Sequence, residues 1–146
     1  MEPTKIAYLA GLVDGEGCIS IVRQNRVDNL CNMLVVGMSD KEGPEMFKEV
    51  FGGSVLSRRR RHNYKVMYTW RVYSRQAARA LEILYPYLVI KKKQADICLE
   101  LAKSIKDGNV LSRGPWRKKV SPDRDIAIKA FRNDLCNKLK EIHKSG

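Results

Sequence analysis

The 146-residue sequence predicts an α+β fold in which helices alternate with two β-hairpins, in the order αββαββα followed by further helices. Two observations lead to this fold class. Segments with apolar residues every three or four positions alternate with pairs of segments in which every second residue is apolar. A polar turn separates the two members of each pair. The length fits a single domain over residues 1–146, with a core at 1–106 and a C-terminal loop and helix at 107–146.

The first helix is predicted from Thr4, as its N-cap, to about Asp14. Beside its apolar stripe, the small residues Ala7, Gly11 and Gly15 recur at steps of four and share one face. A row of small side chains allows a second helix to approach closely. That neighbour is either the same helix of a second subunit or an intrachain helix packed against Gly11.

The first hairpin is predicted from Cys18 to about Arg26, with a turn at 27–29 and a return strand from Asn32 to Met38. Ile19 and Ile21 alternate with polar positions and are assigned to the core. The residues assigned to the opposite, solvent side of this strand are Ser20, Val22, Gln24 and Arg26.

A second helix and hairpin follow, with Ser39-Asp40 as the helix cap and Gly52-Gly53 as its end. The strands are predicted at 54–60 and 64–73. In the second strand we assign Val66, Tyr68, Trp70 and Val72 to the core, and Lys65, Met67, Thr69 and Arg71 to a basic side open to solvent.

Three further helices complete the prediction. The first begins after Ser74 and ends at Pro86, and the second covers 91–106. The last begins at Ser121-Pro122. The buried stripe of the second is expected at Ala95, Cys98, Leu99 and Ala102, and that of the last at Ala127, Phe131, Leu135, Leu139 and Ile142.

The formal net charge of +12 indicates a polyanionic partner, with nucleic acid as the first choice and an anionic membrane surface as the second. No apolar run reaches the roughly 20 residues of a membrane span, and the N-terminus does not resemble a signal peptide. The four cysteines form no C-x-x-C pair, so we expect reduced thiols, no zinc site and an intracellular protein of the cytoplasm, nucleoid or organelle matrix.

The densest positive charge is the arginine run at 58–61. Arginines mixed with Ser, Thr and Gln across two hairpins suit a ribbon that reads the major groove of DNA. A solvated charged hairpin and a nuclear-targeting tract are the alternatives for the arginine run alone. On the second hairpin the residues predicted to contact DNA are Ser57, Arg59, Arg61, Lys65, Met67, Thr69 and Arg71.

The run Leu9-Ala10-Gly11-Leu12-Val13-Asp14-Gly15-Glu16-Gly17 resembles the signature motif of the LAGLIDADG homing endonucleases. The resemblance extends to about Leu101, and only one copy of the motif is present. It implies a homodimer whose paired motif helices meet at the two-fold axis, and a saddle-shaped antiparallel sheet on DNA. The residues that it implies at the dimer interface are Ala7, Ala10, Gly11 and Asp14.

The same resemblance implies a catalytic site. Glu16 would bind the metal together with the Gly15 carbonyl, and Asp14 would act as a hydrogen-bonding residue at the helix end. Lys91, three residues before the Gln94-Ala95 pair, would lie near the cleavage site. Two subunits that bring Glu16 to one place, with DNA phosphates as further ligands, suit magnesium; manganese is a possible substitute, and calcium would support binding without cleavage.

One position departs from the family pattern. Relatives often carry a water-positioning glutamine after the first hairpin, where this chain reads Met38-Ser39-Asp40-Lys41. Ser39 or Asp40 is therefore assigned that role. The expected activity is a site-specific double-strand break at a long pseudo-palindromic site with short 3′ overhangs. The alternative is a non-cleaving binder on the same fold, such as an RNA maturase-like splicing helper or a transcription regulator.

Overall fold

The computed structural model describes residues 2–24, 29–59, 61–62, 65–106 and 122–145. Its elements follow the predicted αββαββα order. They are α1 (Pro3–Glu16), β1 (Gly17–Gln24), β2 (Asn29–Met38), α2 (Glu42–Phe51), β3 (Ser54–Arg58), β4 (Met67–Tyr73), α3 (Ser74–Leu84), a 3-10 turn (Tyr85–Tyr87), α4 (Lys92–Lys106) and α5 (Pro122–Ser145). Residues 25–28, which include most of the turn predicted at 27–29, lie outside the described residues, as do Arg60, residues 63–64 and the basic segment at 107–121.

The four strands form one antiparallel sheet in the order β1-β2-β4-β3. Each hairpin pairs internally, and the two hairpins join through β2 and β4. The helices pack against one face of this sheet, where alternate strand residues such as Ile19, Leu34 and Trp70 are buried. The other face carries no helix among the described residues, as the strand alternation predicts.

Trp70 anchors the second hairpin to the helical layer. Its ring is fully buried and stacks on Phe47 of α2, with 4.8 Å between ring centroids. Its indole nitrogen donates a hydrogen bond of 2.8 Å to the carbonyl of Gly52. Gly52 and Gly53 have φ values of 75° and 89°, so this α2–β3 turn depends on glycine, and the predicted end of the helix is confirmed.

Three predicted helix starts were wrong. α1 begins at Pro3, whose ring presets the helical φ angle, so Thr4 lies inside the helix and Glu2 is the N-cap. α2 is preceded by Lys41 and has no side-chain cap, because Ser39-Asp40 forms a bend before it. Ser74 is the first residue of α3 rather than its cap.

The buried stripe of α5 is rotated from the predicted one. Ile128, Leu135 and Leu139 are buried, whereas Ala127 and Phe131 are exposed. Arg132 occupies the same stripe at 2% exposure, and burial lowers the pKa of its guanidinium. Leu135 and Leu139 are buried as predicted, but the prediction was wrong at Phe131 because it placed every charged residue outside and so excluded Arg132.

The stripe of α4 is closer to the prediction. Ala95 and Cys98 are buried as expected, while Leu99 and Ala102 are only partly buried, and Ile97 and Leu101 complete the stripe.

Among the described residues, none of the helices combines the length and the apolar character that crossing a bilayer would require.

Candidate functional site

The open face of the sheet carries alternate residues of all four strands. On β4, Met67 is exposed while Thr69 and Arg71 are partly buried, so the predicted outward side of this strand is confirmed. The register aligns Arg71 with Val35 and Ser54, and directly opposed residues of antiparallel strands share a face. On β1, Ser20 and Val22 belong to the same face by their pairing with Met33 and Cys31.

A groove of about 1090 Å³ runs over the β3–β4 side of this face. It contains four cationic side chains and no carboxylate among the described residues that line it. The lining residues are Ser39, Arg58, Arg61, Lys65, Met67, Thr69 and Arg71. A concave surface of one charge sign focuses its potential on a polyanion and attracts it from solution.

Arg71 is the most constrained cation of the groove. One terminal nitrogen of its guanidinium lies 3.4 Å from the Tyr73 hydroxyl, and its Nε is buried without a partner in the described part of the chain. A guanidinium carries five N–H donors in a planar fork. The described residues supply one of these donors with a long contact and leave the buried Nε without an acceptor, so most of the fork is available for a base edge or a phosphate.

The register corrects one predicted DNA contact. Ser57 pairs with Tyr68, and Tyr68 lies on the same face of β4 as the buried Trp70. Ser57 therefore belongs to the helix side of the sheet. Arg58 pairs with Met67 and lines the groove, although the sequence argument omitted it. The run Ser-Arg-Arg-Arg has no polarity alternation of its own, and only pairing with β4 fixes which residues face outward.

The remaining predicted contacts are less defined. Arg59 is exposed just past the end of β3, and Arg61 is exposed and lines the groove. Gln24 ends β1, where it pairs with Asn29. Arg26 lies outside the described residues.

The C-terminal end of α1 is tied to the segment before α4 by four hydrogen bonds. The Asp14 carboxylate accepts the backbone N–H groups of Val89 and Lys91, each at 2.9 Å. The Lys91 ammonium donates in return to the carbonyls of Val13, at 2.9 Å, and Gly17. We call this set of contacts among Val13, Asp14, Gly17, Val89 and Lys91 the helix-end clasp.

The clasp places the Lys91 ammonium against the backbone next to Glu16, because its acceptors are the carbonyls of Val13 and of Gly17, the residue that follows Glu16. A lysine before α4 opposes the dipole of that helix, but here the ammonium contacts the carbonyl end of α1, where a positive charge is favourable. The role of Val89 was not foreseen, because only its backbone takes part and no side-chain pattern marks it.

Glu16, the last residue of α1, has an exposed side chain. Gly15 lies in the last helical turn, whose carbonyls lack intrahelical donors. Asp14 differs from Glu16 because both of its oxygens already accept N–H groups. The donor set left for a hard cation is therefore the Glu16 carboxylate and the Gly15 carbonyl, which are oxygen ligands of the kind that Mg²⁺ prefers.

One chain by itself provides few such ligands. Within the described residues, no group of three or more His, Cys, Asp or Glu side chains is arranged to hold a metal ion. A second copy of the chain could supply a second Glu16 carboxylate.

Ser39 and Asp40 are exposed in the bend after β2. Gly17 pairs with Val36, so the chain beyond Met38 leaves the sheet at the end where Glu16 enters it. Ser39 also lines the groove, whereas Asp40 does not. Their proposed water-positioning role stays a prediction.

The small-residue face of α1 is open. Gly11 and Gly15 are exposed, and a Cβ added at either would meet no atom within 4 Å in the described part of the chain. The alternative of an intrachain helix against Gly11 is therefore wrong for the described residues. Ala7 is partly buried beside this face, but Ala10 is fully buried in the core, so its assignment to a dimer interface was wrong.

Residues 9–100 match the model of the LAGLIDADG endonuclease family. The chain belongs to this family, and the motif at the end of α1 lies within the matched range. A comparison of the sequence with curated proteins gave no match.

Solved structures of homing endonucleases share the fold. The chain is similar to I-CvuI in complex with its target, with 23% identity, a TM-score of 0.69 and coverage of 95% of this chain and 82% of that one. It is also similar to the archaeal intron-encoded I-Vdi141I bound to DNA, with 20% identity, a TM-score of 0.71 and coverage of 97% and 86%. For I-TnaI the identity is 17%, the TM-score 0.62 and the coverage 96% of both chains.

Proposed function

We propose that this protein is a homodimeric, magnesium-dependent, site-specific DNA endonuclease. It recognises a long pseudo-palindromic duplex and makes a double-strand break with short 3′ overhangs. The observation that carries this proposal is the exposed Glu16 at the end of the open small-residue face of α1, with Lys91 held beside it by the helix-end clasp. A carboxylate to hold a metal, an ammonium to stabilise developing charge and a cationic groove to bind DNA are what phosphodiester hydrolysis needs.

The groove supplies binding. Arg58, Arg61 and Lys65 are exposed cations that neutralise phosphates, and Arg71 at the centre of the sheet reads a base edge. Similar chains, I-CvuI and I-Vdi141I, are solved with DNA, which supports duplex DNA as the partner here. Binding to an anionic membrane surface, the second partner suggested by the charge, receives no such support.

Two copies of the chain complete the catalytic site. Contact along Gly11 and Gly15 of both α1 helices would bring the two Glu16 side chains together at the two-fold axis. Glu16 and the Gly15 carbonyl of each copy would then hold magnesium with phosphate oxygens of the DNA. The bound metal would supply an activated water and neutralise developing charge on the phosphate.

The protein's own groups would do the rest. The ammonium group of Lys91 would donate a hydrogen bond to the phosphate oxygen on which charge develops. Ser39 or Asp40 would orient the attacking water from the bend after β2. Manganese would replace magnesium, and calcium would support binding without cleavage; I-CvuI is solved with its target in the presence of calcium.

Two-fold symmetry of the protein predicts near-palindromic half-sites in the target. We expect the protein to act inside the cell, on the DNA that flanks its own gene, as an agent of intron or intein mobility. The single domain over residues 1–146 would include the C-terminal helix as part of the same unit.

The test is cleavage of duplexes covering the DNA that flanks the gene, with magnesium or with calcium. The wild-type protein should cut one site in magnesium and bind it uncut in calcium. Glu16→Gln should lower the cleavage rate by at least about 100-fold while keeping calcium-supported binding. Glu42→Gln, an exposed carboxylate on α2, is the matched control and should cut normally. Cleavage by Glu16→Gln at the normal rate would refute the assignment.

A non-cleaving binder on the same fold is the second candidate, because Met38–Lys41 contains no glutamine where relatives position water. Such a protein would bind its DNA, or an intron RNA, without cutting in any divalent cation. Specific binding with no cleavage by the wild-type protein would favour this candidate.

A further inference from the structure

We infer that Asp14 is a positioning residue for the proposed cleavage, and that it acts by fixing the backbone of residues 89–91 so that Lys91 stays beside Glu16. This inference rests on the proposed function. The direct evidence is that the two carboxylate oxygens of Asp14 separately accept the N–H groups of Val89 and Lys91. Charge-assisted bonds of this length are strong, and two together set both position and orientation.

Packing does not hold the segment that carries Lys91. Leu88 is buried at its start, but the next two side chains, Val89 and Ile90, are 80% and 71% exposed. Such apolar side chains gain no burial that would fix the backbone between Leu88 and α4. Among the described hydrogen bonds, the Asp14 carboxylate is the α1 group that accepts the backbone N–H groups of this segment.

The backbone position of Lys91 determines where its ammonium lies. An ammonium has three N–H donors, and the carbonyls of Val13 and Gly17 occupy two of them. The third donor remains for a phosphate oxygen. If the backbone of Lys91 moves, the ammonium leaves both carbonyls and loses its place next to Glu16.

This arrangement separates the two acids of the motif. Glu16 is exposed and open to a cation, whereas Asp14 uses both oxygens within its own chain. Asp14 is therefore assigned to holding Lys91, and its contribution to cleavage passes through the lysine. An effect that passes through Lys91 disappears once the lysine amine is removed.

A double-mutant cycle tests this assignment. Single-turnover cleavage and calcium-supported target binding are measured for wild type, Asp14→Asn, Lys91→Met and the double variant. Asp14→Asn replaces one oxygen by an amide that faces an N–H group. We expect it to slow cleavage by about 10-fold or more, with target affinity within about threefold of wild type. The double variant should cleave no more slowly than Lys91→Met.

Asp96→Asn is the matched control. Asp96 accepts a hydrogen bond from the Tyr85 hydroxyl. The substitution therefore also removes a hydrogen bond at α4, but one away from the motif. It should cleave at the wild-type rate. If the rate losses of Asp14→Asn and Lys91→Met multiply in the double variant, or if Asp96→Asn slows cleavage equally, the inference is wrong.

Amide hydrogen exchange gives a readout that does not need cleavage. Asp14→Asn and Asp14→Ala should each accelerate exchange at Val89 and Lys91 by about 10-fold or more, while Asp96→Asn should leave both amides unchanged. Unchanged exchange in the Asp14 variants would overturn the inference. If the wild-type protein binds but does not cut, the proposed function fails, and these exchange rates still decide whether Asp14 holds the segment.

Discussion

The open face of the sheet and the helix-end clasp are built in opposite ways. The groove gathers three exposed cations and the partly buried Arg71, which lies 3.4 Å from the Tyr73 hydroxyl. The clasp concentrates four hydrogen bonds on two side chains and the backbone around them. Side chains with few contacts of their own can adapt to a partner, and their contributions to binding are largely separate. Groups that hydrogen-bond to one another fix one geometry, so the loss of one of them disturbs the others.

The largest effect is expected from a substitution on the open small-residue face of α1. Gly11→Leu adds a side chain where the described part of the chain offers open space, so the folded protomer should tolerate it. Close contact with a second α1 would be lost, weakening the proposed dimer by roughly 100-fold or more. Sedimentation velocity measures the change.

Ala127→Leu is the control, because it also places a leucine at an exposed position, in this case on α5. It should leave the dimer intact. A Gly11→Leu protein that sediments as the wild-type dimer would exclude helix pairing through this face.

The second prediction compares neighbours on opposite faces of β3. Arg58→Ala should weaken target binding by about 1–3 kcal/mol if the arginine reads a base, or reduce the salt dependence by about one ion if it holds a phosphate. Ser57→Ala should bind as wild type, because its row belongs to the helix side. Binding titrations at several salt concentrations distinguish these outcomes. Equal losses in both variants would contradict the register.

The third prediction concerns Gly53, in the α2–β3 turn that precedes the second hairpin. A Cβ on Gly53 would lie 2.6 Å from a methyl of Val72, and the residue has a φ of 89°. Gly53→Ala should therefore lower the free energy of unfolding by about 1–3 kcal/mol, measured by denaturant titration. Ser54→Ala, at the exposed next position, is the control. At a temperature where both are folded, target affinity should change little in either.

The smallest expected effect concerns two thiols, that of Cys18 on β1 and that of Cys98 in the buried stripe of α4. Burial, with the neighbouring Cys18 and Cys136 adding to it, raises the pKa of Cys98 to about 12, whereas Cys18 is exposed. Iodoacetamide at pH 8 should label Cys18 well before Cys98. Because the folded pKa of Cys98 lies above the ordinary thiol value of 9.0, its contribution to stability is intact below pH 9 and is lost between pH 9 and 12. Equal labelling rates would contradict this burial.

The sequence by itself determined the order of elements and the outward side of β4. Both follow from short-range rules, since side chains alternate along a strand and the glycines at 52 and 53 accept positive φ angles. By resemblance to the family, the motif at residues 9–17 also singled out Glu16, and the Gln94-Ala95 pair singled out Lys91.

Only the tertiary structure decided which neighbours these residues meet. The pairing of β3 with β4 put Ser57 on the helix side and Arg58 in the groove, and packing against the sheet buried Ala10. The contacts from Asp14 to Val89 and Lys91 span 75 and 77 positions of the chain. No local pattern encodes them, because their donors are backbone groups that every residue except proline carries.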